Sequence, residues 1–196
     1  MIFKVGDPPP TVVSRYAAAA GVVPQAPPWL GSGERGDALI LCPGAAHASK
    51  QWPAGRFVEL GRRWSGPVIV LGGPDERELV QFIAETLGSR AEGLAERGYA
   101  RTLAALGRGR VAVAGDTGLL HLAAAAGLPV VGLFGPTTSQ DGFWDAGSKP
   151  GGEAVELQLS CRPCSLHGGG VCPIGVPCLD TRPADLLAAL AAAGLS

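Results

Sequence analysis

The segment Gly115-Asp116-Thr117-Gly118-Leu119-Leu120-His121 gathers a carboxylate, a hydroxyl and an imidazole at the start of an apolar stretch. It follows the apolar run up to Ala114, so it reads as a strand turning into a buried helix. Backbone N–H groups at such a helix start form a ready anion site, and glycines let a phosphate approach closely. His121 lies four residues beyond Thr117, on the same face one turn further along. A plainer alternative has Asp116 capping the helix and His121 satisfied in the core; the residues alone leave both open. Lys50, within Pro43-Gly44-Ala45-Ala46-His47-Ala48-Ser49-Lys50-Gln51-Trp52-Pro53, offers a compact charge for a phosphate or is simply a solvated loop lysine. Glu76, in Gly72-Gly73-Pro74-Asp75-Glu76, can accept two ribose hydroxyls or merely favour a helix dipole.

These segments all follow predicted strands. Ala38–Cys42 and Pro67–Leu71 are short unbroken apolar runs, as expected of strands buried on both faces. Arg110–Ala114 and Pro129–Phe134 give a third and fourth strand, and Glu153–Leu159 a fifth. Between them, Ala54–Trp64 carries Phe57, Leu60, Gly61 and Trp64 at helical spacing. Asp75–Leu87 predicts a helix with Asp75 as N-cap and Leu79, Phe82, Ile83 and Leu87 on its buried face. Tyr99–Leu106, Thr117–Ala126 and Pro183–Ala193 complete the helices. The alternation predicts an α/β, Rossmann-like, mostly parallel sheet with helices on both faces, whose ligand sits at the carboxyl ends of the strands. Residues 1–37, rich in Pro, Ala and Gly, read as a connector or remnant with one short helix over Thr11–Ala20; residues 38–196 read as the domain.

Composition removes several function classes. Charged residues are 17% of 196 and the net charge is −1, so no basic excess supports nucleic-acid binding. No stretch reaches the roughly 18 consecutive apolar residues a spanning helix needs, because His121 and Pro129 interrupt Leu119–Phe134. The expectation is a cytoplasmic protein with at most peripheral contact with the inner membrane. Cys42 sits in an apolar run as a small hydrophobe. Cys161, Cys164, Cys172 and Cys178, spaced C-x2-C-x7-C-x5-C over segment 161–178, read as reduced thiols or as ligands of a structural zinc.

Four segments together carry a resemblance: the Pro43–Pro53 loop, Gly72-Gly73-x-x-Glu76, the Asp116-Thr117-Gly118-x-x-His121 run and Pro129-Val130-Val131-x-Leu133-Phe134-Gly135-Pro136-Thr137. From about Ala38 onward the chain resembles the carboxyl-terminal half of the ADP-heptose:lipopolysaccharide heptosyltransferases of glycosyltransferase family 9. The Cys-Arg-Pro-Cys tail is similar to tails of many members. The resemblance implies a two-domain GT-B architecture in which this half holds an ADP-heptose-like donor. It implies that Lys50 contacts the diphosphate and Glu76 the ribose, while Asp116, Thr117, Gly118 and His121 serve the phosphate and donor sugar. Ala45 and Ala46, after Gly44, stand where members often carry hydroxyl residues, which leaves backbone N–H groups for that contact.

The reaction so implied is inverting transfer to a lipopolysaccharide-core or related acceptor, with Lys50 and the helix start stabilising the leaving diphosphate without an obligatory metal. The general base that activates the acceptor hydroxyl is expected in the amino-terminal domain, for which the length leaves no room. Gly6-Asp7 is too isolated to supply it. The implied partners are therefore the nucleotide-sugar and an acceptor-domain chain or further copies of this one. The alternative reading is a non-catalytic nucleotide-sugar-binding subunit or remnant that needs such a chain.

Overall fold

The computed structural model describes residues 18–21, 35–95, 98–141, 144, 152–165, 167–192 and 194–195. Most of the expected connector, and all but the last three residues of the helix expected over Thr11–Ala20, lie outside them. Six strands follow: β1 Ala38–Cys42, β2 Val68–Gly72, β3 Ala91–Ala95, β4 Gly109–Gly115, β5 Val130–Phe134 and β6 Gly152–Glu156. They form one parallel sheet in the order β3-β2-β1-β4-β5-β6. The chain thus walks outward from β1 to β3, returns, and walks the other way from β4 to β6. The reversal opens a crevice between the carboxyl ends of β1 and β4, where ligands of such sheets bind.

Side-chain alternation along the strands divides the interior into two cores. Leu39, Leu41, Val68, Val70, Val111 and Val113 face α1 (Ala54–Arg63), α2 (Arg77–Leu87) and α5 (Pro183–Ala192). Ile40, Cys42, Ile69, Leu71, Ala112 and Ala114 face α3 (Tyr99–Gly107) and α4 (Gly118–Ala125). Both faces are covered, which is why β1, β2 and β5 read as unbroken apolar runs. Cys42, fully enclosed, has its thiol pushed up to about 12 by burial and by Glu76, and is chemically inert.

Three expectations change. β3 was not foreseen: Ala91-Glu92-Gly93-Leu94-Ala95 is an edge strand, half-buried, with Glu92 turned outward to Arg108 at 2.5 Å. Such an edge carries no apolar run to read. A tight turn over Pro74–Glu76 precedes α2, so the helix starts at Arg77 rather than at an Asp75 cap. Of the expected buried face, Ile83 is enclosed and Leu79 and Leu87 pack partly buried on the same core beside Val80 and Ala84, whereas Phe82 is 56% exposed.

Candidate donor site

The turn after β4 brings Asp116 to the crevice, and the loop after β1 brings Lys50 to meet it. Lys50 Nζ lies 2.6 Å from Asp116 Oδ2, with the two side chains only 12% and 7% exposed. The same oxygen accepts the hydroxyl of Thr137 at 2.8 Å. Oδ1 is left toward His121, whose Nε2 is 3.7 Å away, too far for a direct hydrogen bond. Burial works against the charged carboxylate, but the His121 edge, the Lys50 ammonium and the Thr137 hydroxyl outweigh it. They hold Asp116 well below the usual carboxylate range.

Asp116 therefore does not cap α4. Thr117 occupies that position in extended conformation without a side-chain cap bond, and its Oγ1 is buried with no partner. The first N–H groups of α4 and an orphaned hydroxyl thus stand at the crevice, ready for an acceptor-rich ligand. His121 is partly exposed rather than a core residue.

Of the residues singled out in the sequence, Ala46, Lys50, Asp116, Thr117, Gly118 and His121 line one cavity of about 360 Å³. His47 and His167 complete its wall, so all three histidines of the chain face it. Gly44, Ala45 and Glu76 lie outside that lining, at the neighbouring strand ends. The Glu76 carboxylate accepts the Gly73 N–H at 2.8 Å and covers Gly44, where a Cβ would come 1.7 Å from Oε1. Any side chain at position 44 displaces Glu76. The Ala45 carbonyl accepts a hydrogen bond from Gln51.

Cys161, Cys164, Cys172 and Cys178 line a second cavity of about 420 Å³ beside the first. Reduced thiols and zinc ligands were both open readings for them; among the described residues no three His, Cys, Asp or Glu side chains are placed to hold a metal. Two of the thiols bond to nearby backbone. The Cys164 thiol points at the Cys161 carbonyl, Cys172 Sγ accepts the Val176 N–H at 3.3 Å, and Cys178 is buried in a tight turn over Pro177–Leu179. Backbone N–H groups of residues 174 to 176 lower the Cys172 thiol, whereas burial raises that of Cys178.

His47 and His167 in the wall, Thr137 on Asp116 and Arg162, which donates to the Thr137 carbonyl at 2.6 Å, were not among the expected site residues. Thr137 ends the Phe134-Gly135-Pro136-Thr137 motif and His47 sits in the Lys50 loop, so both lay in motifs already singled out. Arg162 and His167 had only their place between the cysteines to mark them.

The model of glycosyltransferase family 9 (heptosyltransferase) matches residues 17–166 of the chain. The chain belongs to glycosyltransferase family 9. Lipopolysaccharide heptosyltransferase 1 of Pseudomonas aeruginosa is 36% identical to this family 9 chain over 135 residues, 64% of this chain and 36% of the relative. The structure of ADP-heptose lps heptosyltransferase II from E. coli superposes with a TM-score of 0.74 at 22% identity, over 97% of this chain and 64% of that one. The dodecameric iron-containing heptosyltransferase TibC, in complex with ADP-D-beta-D-heptose, superposes at 0.63 with 16% identity, over 90% of this chain and 52% of that one. These structural likenesses show a shared fold. The family 9 chain spans about a third of the Pseudomonas relative and less than two thirds of the E. coli enzyme. No helix among its described residues is long and apolar enough to cross a membrane.

Proposed function

We propose that this chain supplies the donor-binding half of a heptosyltransferase-type glycosyltransferase and holds an ADP-sugar at the crevice between β1 and β4. The observation that carries the reading is the Lys50–Asp116 pair set beside the uncapped start of α4 in one cavity at the reversal of strand order. A nucleoside diphosphate suits that cavity: the ammonium and the helix N–H groups address negative oxygens, and the orphaned Thr117 hydroxyl gains a partner. Glu76, at the carboxyl end of β2, is the acidic group in reach of a ribose on the neighbouring strand end.

In the transfer, an acceptor hydroxyl attacks the anomeric carbon from one face while the diphosphate leaves from the other, taking the bonding electron pair. Charge then grows on the leaving phosphate. Lys50 and the α4 terminus are already in place to meet it, so no reorganisation is needed as the bond breaks. The base that takes the acceptor proton belongs to a facing domain or partner chain, and the lipopolysaccharide-core acceptor follows from the family reading. That a structural metal accompanies the cysteine-rich segment finds no support in the thiol geometry.

Calorimetric titration with ADP tests the reading. The chain is expected to bind ADP, and Lys50→Met to weaken binding by about tenfold or more, the scale of one charge-assisted phosphate contact. Glu76→Ala weakens ADP without affecting pyrophosphate. A folded wild-type protein that gives no heat with ADP or an ADP-sugar refutes the donor site.

A further inference from the structure

Asp116 Oδ2 accepts from two donors, and the second does not come from the strand ends that frame the crevice. Thr137 is 1% exposed, in the loop after β5. That loop is fastened by the cysteine-rich segment. Arg162 Nη2 donates to the Thr137 carbonyl at 2.6 Å, to the Phe134 carbonyl at 3.0 Å and to Glu156 at 3.0 Å. The same guanidinium reaches the carbonyls of Gly135 and Leu157. The Cys164 N–H donates to the Pro136 carbonyl at 2.8 Å. Every residue from Phe134 to Thr137 is thus held by its carbonyl from one bracket.

A lysine stem has four rotatable bonds, and the terminal torsion of an aspartate is broad, so a lone Lys–Asp pair does not define where the ammonium points. A second donor on the same carboxylate oxygen does define it. We propose that Thr137, anchored by Arg162, is a positioning residue for the donor site: its hydroxyl fixes the Asp116 carboxylate so that Lys50 is presented to the cavity. The Cys-Arg-Pro-Cys segment thereby acts on the nucleotide site through Thr137, without touching the ligand.

The consequence for affinity rests on the donor reading above, so two readouts are needed. First, the side-chain carboxyl of Asp116 is titrated by carbon NMR in wild type, Thr137→Val, Thr137→Ala and Thr137→Ser. Loss of the hydroxyl, with either Val or Ala, moves the midpoint up, and Ser restores it; an unchanged midpoint in both folded variants overturns the proposal whether or not ADP binds. Second, ADP affinity is measured for Thr137→Val in the wild-type and Lys50→Met backgrounds. A loss of about fivefold is expected in the first and about none in the second, since the effect runs through Lys50. Equal losses in both show a general structural role and overturn it. Wild-type protein that does not bind ADP refutes the donor reading alone and leaves the titration to judge Thr137.

Discussion

The two neighbouring cavities are built in opposite ways. The one at the ends of β1 and β4 is walled by Lys50, Asp116, Thr117 and three histidines, and Asp116 Oδ2 accepts both from Lys50 and, behind the wall, from Thr137. The other is walled by Pro136, Pro163, Val171, Pro173, Ile174 and four thiols, with no charged side chain in its lining. His167 lines the first and Gly168 the second, so one dipeptide parts them. The contrast separates a preorganised polar site from a scaffold. In the first, removing a side chain changes charge and aim; the second adjoins the loop after β5, which Arg162 fastens.

That contrast is broken most directly at Arg162. Arg162→Met keeps the stem but leaves half-buried Glu156 with only its Ser139 donors, and takes the guanidinium from the carbonyls of residues 134, 135, 137 and 157. The expected loss is about 3–5 kcal/mol in denaturant unfolding. A loss under about 0.5 kcal/mol would show that the thiol side does not depend on its bracket.

The polar side is tested by acid. The folded carboxyl of Asp116 is depressed, so its contribution is fully present above the unfolded value of about 3.9. It disappears as pH falls from there through the folded value. Wild type is expected to lose about 2 kcal/mol more than Asp116→Asn between pH 6 and pH 2, read from unfolding curves at both ends. Parallel curves would mean that the pair adds nothing to the fold.

The smallest effect is expected at the partition. Gly168 has φ of +70°, and a Cβ there would approach Lys50 Cε to 2.5 Å and Pro136 Cγ to 2.8 Å. Gly168→Ala should cost about 1–2 kcal/mol and weaken ADP, because the lysine end yields more easily than the proline ring. Destabilisation with unchanged ADP affinity would uncouple the two cavities.

The central strands were legible because both sheet faces are covered, so β1, β2 and β5 had to be apolar throughout. The edge strand β3 was not, since Glu92 and Gly93 carry no such demand. Phe82 turns outward on α2 because, at the helical period, it lies on the side away from Val80, Ile83, Ala84 and Leu87. The site showed the same division. Lys50, Asp116, Thr117 and His121 were marked by their place after strands, whereas Arg162 had no local pattern that could reveal five carbonyl and carboxylate partners.

Residue types and their order determined by themselves the α/β class, the crevice-forming loops and the kinds of group offered to a ligand. Periodicity and turn chemistry act over a few residues, and those features need no more. Tertiary structure alone decided that Asp116 binds Lys50, 66 positions away, and Thr137, 21 positions away, instead of capping its own helix. It also decided that the four closely spaced cysteines line one cavity without setting three described ligands around a metal. Hydrogen-bond partners and ligand geometry across such distances are set by strand order and by the anchoring of loops, which local sequence does not encode.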